Sequence, residues 1–357
     1  TGSEERLQGV TFIIGPEKDK LEVYPDPAEN KCEVYETDKN GRIQLKRMPA
    51  GTYYMKELEG VTGYAWDTER IYEITIDQDG RVDGKDIGTL TVENDRTEIT
   101  GTSVIDVNRD SQTVYPKQIE ATDTVSIVNL QKGKEYTLKS ELRDAETGEV
   151  LKENNDPDGE LLQREKTFEA TGDKMEVGID VSFDATKFAG RTIVVFERLY
   201  QDSTEISTHT DLKDKKQQLV IKNPKLQTTA TEVISKTHYI YANDGQKFTD
   251  KVTFEDLTPG TYTAKGIVMD KETEAPLLVN GKQVTVEKKV EIKEGQGSFN
   301  MEFSLNASEL AGKKIVVFEY LYQNGEKITE HTDLEDKEQQ IEVKNPKLQT
   351  TATEVIS

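Results

Sequence analysis

The chain has 357 residues, and 46 Lys and Arg against 68 Asp and Glu leave a formal net charge of −22. That length suits two or three domains, and the acidic balance argues against nucleic acid or an anionic membrane surface as partner. Charges are spread along the whole chain, Val, Ile, Thr and Tyr are frequent, and no apolar run approaches the ~20 residues of a membrane span, so the composition predicts a water-facing β-protein.

The elements follow in chain order. "NKCEVYET" holds the lone Cys32, which excludes an intrachain disulfide framework and a multi-cysteine zinc site. "MPAGTYYMKEL" reads as a turn running into a strand, and "DQDGRVDG" from Asp77 as a hairpin turn. The same turn-then-strand pattern returns as "LQKGKEYTLKSEL" and as "LTPGTYTAKGIVM". Between them "NNDPDGELLQRE" offers Asn154, Asp156, Asp158, Gly159 and Glu165 at calcium-loop spacing. It lacks the first Asp, contains Pro157 and has no flanking helices, so a turn is expected and no metal is assigned. "DATKFAG" and "NASELAG" leave room for one helical turn at most.

Repetition is the most informative feature. "KNPKLQTTATEVIS" occurs at Lys222 to Ser235 and again at Lys344 to Ser357; "GRTIVVFERLY" is matched by "GKKIVVFEYLY", and "THTDLKDKKQQLVIKNPK" by "EHTDLEDKEQQIEVKNPK". The offset between copies is the size of an immunoglobulin-like unit. We therefore expect an all-β protein of three tandem immunoglobulin-like sandwiches forming an elongated rod, at 1–95, 96–222 and 223–344. Residues 345–357 would be the first strand of a further, truncated repeat, with Thr350 and Thr351 in it. Without an initiator Met, signal peptide or sorting tail, the chain reads as a piece of a longer protein.

Period-two alternation separates inward from outward residues. Gln339 shares a face with Ile341 and Val343, Gln217 with Leu219 and Ile221, and Thr228 with Leu226 and Ala230. Glu197 and Glu319 close the apolar "IVVFE" runs, His209 and His331 follow, and Asp123 and Asp250 begin an earlier strand of each unit. A Thr hydroxyl beside a base can attack a carboxamide polarised by a protonated acid, and two crowded carboxyls cannot both ionise. The product would be an ester between first and last strands, with loss of ammonia. His238 has no counterpart in the 96–222 repeat and is expected at the surface.

"TTAT", then "D-x-V" ahead of "L-x-x-G-x-Y", then "VVFE", then "H-x-D-x-x-D-x-x-Q" resemble the VaFE-type repeats of Gram-positive surface adhesins, Cna-B-like modules with autocatalytic Thr–Gln ester crosslinks. The resemblance spans about 96 to 344. It implies Thr228 as nucleophile, Gln339 as electrophile, His331 as base and Asp250 with Glu319 as acid pair. In the 96–222 repeat Asp123, Glu197, His209 and Gln217 match; its nucleophile is Thr102 by gapless alignment of "TSVID" with "TTATE", with Thr100 as alternative. "LQGVTFIIG", "DKNGRIQLKRMPAGTYYMKELEGVTGY" and "LTVEND" are similar to Cna-B or SpaA-type pilin domains. Members of that group carry Lys–Asn isopeptide bonds promoted by a Glu; Glu57 and Asn94 match the acid and the Asn, but no Lys precedes Leu7.

The resemblance implies the stalk of an adhesin outside the cell, anchored to the Gram-positive wall. Such a stalk would act as a monomer without cofactor, its partners being neighbouring repeats and, through an absent head domain, a host ligand. Two rival readings are a ligand-binding adhesin module, which calls for an exposed apolar patch, and a Thr/His-dependent hydrolase, which calls for an open cleft. Trp66 is the single tryptophan, and an inward Gln within the reactive set favours one intramolecular turnover over a hydrolase.

Overall fold

The computed structural model describes residues 5–22, 31–85 and 88–345; Thr350 and Thr351 lie outside them. The described chain is β throughout, and its helices are single 3-10 turns, one of them Thr186–Phe188 within "DATKFAG". It divides into two compact units. One holds residues 1–114, 118–187 and 191–220, the other 115–117, 188–190 and 221–357.

In the first unit, strands β1 (Thr11–Gly15), β2 (Glu33–Glu36), β3 (Gly51–Glu59) and β4 (Ile71–Ile76) form an antiparallel sheet in the order β2-β1-β3-β4. Val10, Phe12, Ile14 and Met55 pack on one face; Ile13, Leu21 and Cys32 pack on the other. After β4 the "DQDG" segment turns back, with Asp77 and Arg81 bonded through their backbones and Gly80 at φ 77°.

The same unit continues as a β-sandwich. Its smaller sheet is β5 (Glu98–Asp106), β6 (Ala121–Val128) and β9 (Lys174–Asp180), with β6 central. Its larger sheet contains β7 (Glu135–Asp144), β8 (Gln163–Glu169), β10 (Thr192–Gln201), β11 (Thr204–His209) and β12 (Gln218–Ile221). Alternation is strict where one face meets the core: along β6, Ala121, Asp123, Val125 and Ile127 are buried and their neighbours are not.

The second unit is built the same way. β13 (Lys225–Glu232), β15 (Gln246–Glu255) and β18 (Gly297–Leu305) face a sheet containing β14 (Tyr239–Tyr241), β16 (Gly260–Asp270), β17 (Thr285–Ile292), β19 (Lys314–Gln323), β20 (Glu326–His331) and β21 (Gln340–Lys344). Phe248, Val252, Tyr262, Val268, Met301, Phe303, Ile315, Val317, Ile341 and Val343 form its core. Two sheets with apolar inner faces can bury them only against each other, which is the sandwich solution.

Candidate functional site

Most buried polar residues of the two sandwiches gather at corresponding points. In the second unit they are Thr228, Asp250, Glu319 and Gln339; in the first, Thr102, Asp123, Glu197 and Gln217, all at most 5% exposed. Strand register explains the grouping. Thr228 pairs with Val252 and Ala230 with Asp250, so Thr228 and Asp250 are inward on neighbouring strands of the smaller sheet. Glu319 arrives from β19 in the larger sheet, and Gln339 from the turn before β21. A backbone bond of 2.8 Å from Ala230 N to the Glu338 carbonyl brings first strand and last turn together.

Contacts within the second-unit cluster are direct. Gln339 Nε2 donates to Thr228 Oγ1 and, at 2.6 Å, to Glu319 Oε2; Thr228 Oγ1 donates to the same Glu319 oxygen at 3.3 Å. Gln339 Oε1 has no hydrogen-bond partner among the described residues. In the first unit Gln217 Nε2 donates to Glu197 Oε2, while Thr102 Oγ1 has no partner.

The acids are held in an unusual state. Burial is the main cause raising Asp250 and, far more, Glu319, whose ionisation is further opposed by the neighbouring Asp250 charge. Burial likewise pushes Asp123 up to about 6, and burial together with the Asp123 charge holds Glu197 far above the carboxylate range. The closeness of the two carboxyls in each pair favours ionised Asp and protonated Glu. At neutral pH each interior therefore keeps one carboxyl proton on its Glu.

The histidines sit one strand away. His331 pairs with Glu319 and His209 with Glu197, each ring partly exposed. His331 Nε2 meets Asp336 Oδ2 at 3.0 Å, and His209 Nε2 meets Asp214 Oδ2 at 3.0 Å. Neither ring is hydrogen-bonded to the Thr; the partners of the Thr228 hydroxyl are Gln339 and Glu319. The other oxygen of each Asp caps the turn carrying the Gln: Asp336 Oδ1 accepts from Glu338 N and Asp214 Oδ1 from Lys216 N, each at 2.9 Å. One carboxylate thus orients both ring and carboxamide. Sequence reasoning missed these two residues, although "H-x-D-x-x-D" places them five after each His.

Thr102 and Thr100 separate by position. Thr102 pairs with Val125 and Val104 with Asp123, the register of Thr228 with Val252 and Ala230 with Asp250, whereas Thr100 is exposed and donates to the Ser126 carbonyl. In the first sheet Glu57 is buried, its carboxyl raised by burial, and Asn94 Nδ2 donates to its Oε1 at 2.7 Å. His238 is half exposed and lies 3.7 Å from Glu338. The "NNDPDG" segment is a turn containing the 3-10 stretch Glu153–Asn155, and no group of acids, His and Cys that could hold a metal occurs among the described residues.

Comparison with known proteins bears directly on this constellation. The model of the T-Q ester bond containing domain matches residues 94–221 and again 224–343. The chain belongs to the T-Q ester bond domain family. Residues 1–88 match the SpaA prealbumin-like fold domain. No curated protein matches. Among solved structures, a bacterial adhesin from Mobiluncus mulieris containing intramolecular disulfide, isopeptide and ester bond cross-links is 12% identical. The match covers 64% of this chain and 82% of that one, with a TM-score of 0.33. BcpA, the major pilin subunit of Bacillus cereus, is 16% identical over 97% of this chain and 93% of its own, with a TM-score of 0.23. Superpositions this loose carry no argument about the present chain.

Proposed function

We propose that each T-Q domain crosslinks itself once, Thr228 to Gln339 and Thr102 to Gln217, and that the chain is stalk material of a bacterial surface adhesin or pilus. The observation that carries this reading is the buried contact of Gln339 Nε2 with Thr228 Oγ1 beside a carboxyl pair that retains a proton. Thr228 Oγ1 attacks Gln339 Cδ, the Cδ–Nε2 bond breaks, and ammonia leaves. The hydroxyl proton passes to Glu319 Oε2, the acceptor it faces, as the proton already held by the carboxyl pair goes to the departing nitrogen. The pair begins and ends with one proton. The proton shared by Asp250 and Glu319 is also the donor available to polarise Gln339 Oε1, which has no other partner. His331 acts at one remove: when protonated, its charge opposes protonation of Asp250.

Every reactant belongs to the chain and is consumed, so the chemistry is one turnover without external substrate or cofactor. The ester would join the smaller sheet to the larger, first strand to last, where tension enters a tandem domain. Cell-wall anchoring, a host ligand bound by a separate head and a monomeric state fit such a stalk. In the first domain Glu57 and Asn94 supply the acid and carboxamide of an isopeptide site.

Intact mass under denaturing conditions tests the chemistry. The expected result is a deficit of two ammonia masses against the sequence, falling to one in Thr228→Ala or Gln339→Ala. Full calculated mass in the unmutated protein would overturn the reading.

A further inference from the structure

The two ester sites differ beside the acid. Glu197 on β10 stands opposite Ser140 on β7, whereas Glu319 on β19 stands opposite Gly266 on β16. Ser140 is fully buried, and neither its Oγ nor Glu197 Oε1 has a hydrogen-bond partner among the described residues. Directly opposed residues project from the same face with Cβ atoms about 5 Å apart, so hydroxyl and carboxyl occupy one rung of the ladder. A buried hydroxyl left unpaired is costly, which calls for a use.

Packing shows that the serine is accommodated. A Cβ on Gly266 would lie 2.5 Å from Phe303 Cζ, and Phe303 stacks on Phe248 with ring centroids 5.0 Å apart. By register, Phe248 corresponds to Ala121, and the Phe303 position to Val181, whose N–H bonds the Ala121 carbonyl. Space taken by two rings in one domain is left to a side chain on β7 in the other.

We propose that Ser140 is a positioning residue of the 102–217 site, its hydroxyl donating to Glu197 Oε1 and holding that carboxyl toward Gln217. The inference rests on the self-crosslinking reading. Asp123 faces Glu197 from the smaller sheet, while His209 approaches from the strand and Gln217 from the turn on its other side; Ser140 closes the side next to β7. A hydrogen bond to the carboxyl favours its ionised form, so Glu197 gives its proton to the departing nitrogen more readily than it would alone, and also loses it to solvent at lower pH.

The test uses the whole chain, recovered unreacted in denaturant, refolded over a pH series, quenched in acid and mapped by peptide mass, so that the 228–339 bond is an internal control. Ser140→Ala should slow the 102–217 bond about tenfold and shift the alkaline limb of its rate profile upward, leaving 228–339 unchanged. Ser140→Thr should keep the faster rate and Ser140→Val, of equal volume, should not. Equal rates and pH profiles in wild type and Ser140→Ala, or equal behaviour of the Thr and Val variants, overturn the inference while the crosslinking reading stands. Failure of both bonds in the wild type overturns the two together.

Discussion

In the proposed reaction Glu319 is hydrogen-bonded to both the hydroxyl that loses a proton and the nitrogen that gains one, whereas the hydrogen bond of His331 goes to Asp336. Glu319→Gln should therefore abolish the 228–339 bond, and His331→Ala should slow it without abolishing it; time-resolved peptide mapping distinguishes the two. The raised carboxyls also make stability depend on pH in a defined direction. Asp123, at about 6 in the fold against 3.8 unfolded, stays protonated in the native state where the unfolded chain has already ionised. Its contribution is full below about 4 and is lost as pH rises through about 6, and Glu197 extends the loss to higher pH. In the uncrosslinked Thr102→Ala protein, urea midpoints should fall more steeply from pH 4 to 6.5 than in Thr102→Ala/Asp123→Asn. Equal slopes would show that Asp123 is not held protonated. The inward Gln217, Gln339 and Thr228 were legible from alternation alone, because an amide or hydroxyl in phase with Leu, Ile and Val has to face the core. The partners of the histidines were not, since Asp214 and Asp336 lie several residues ahead of the last strand, too far for its alternation to give their direction.

Element by element, the "IVVFE" strands show how one scaffold holds an acid with two different linings. Val195 and Val317 are equally buried, but the strand alongside carries Leu138 and Ser140 in one domain and Ala264 and Gly266 in the other. The smaller sheet compensates, with Ala121 against Phe248. Such volume exchange keeps packing density constant across the sandwich, which is what a close-packed interior demands. Gly266→Ala should therefore destabilise the third domain by roughly 1–3 kcal/mol through overpacking against Phe303, with no polar group involved. Combining it with Phe303→Leu should recover part of the loss, measured by urea unfolding of the uncrosslinked Thr228→Ala background. The Ser140/Gly266 difference is visible when "YTLKSEL" is set beside "YTAKGIV", yet its meaning needs the cross-strand register, because sequence periodicity gives faces and not partners.

At the scale of the whole molecule, what matters is which strands a load reaches first. Thr228 lies on the first strand of its domain and Gln339 immediately before the last, 111 residues apart. An ester between them closes nearly the whole domain into one loop. By analogy with a disulfide, that closure limits the unfolded chain by roughly 4–5 kcal/mol, a gain that thermal unfolding of Gln339→Ala should reveal as a lowered midpoint. Under force the difference is one of kind. A covalent bridge at these positions keeps the intervening residues out of the load path, so the domain cannot lengthen however many ladder bonds break. Single-molecule pulling of the wild-type chain should show no extension from either T-Q domain. Gln339→Ala should restore one unfolding step of roughly 350–400 Å, the contour length of about 110 extended residues, and Gln217→Ala a second of similar length. Extension of both domains in the wild type would mean that the strands are joined by hydrogen bonds alone, and the proposed load-bearing role would be lost with them.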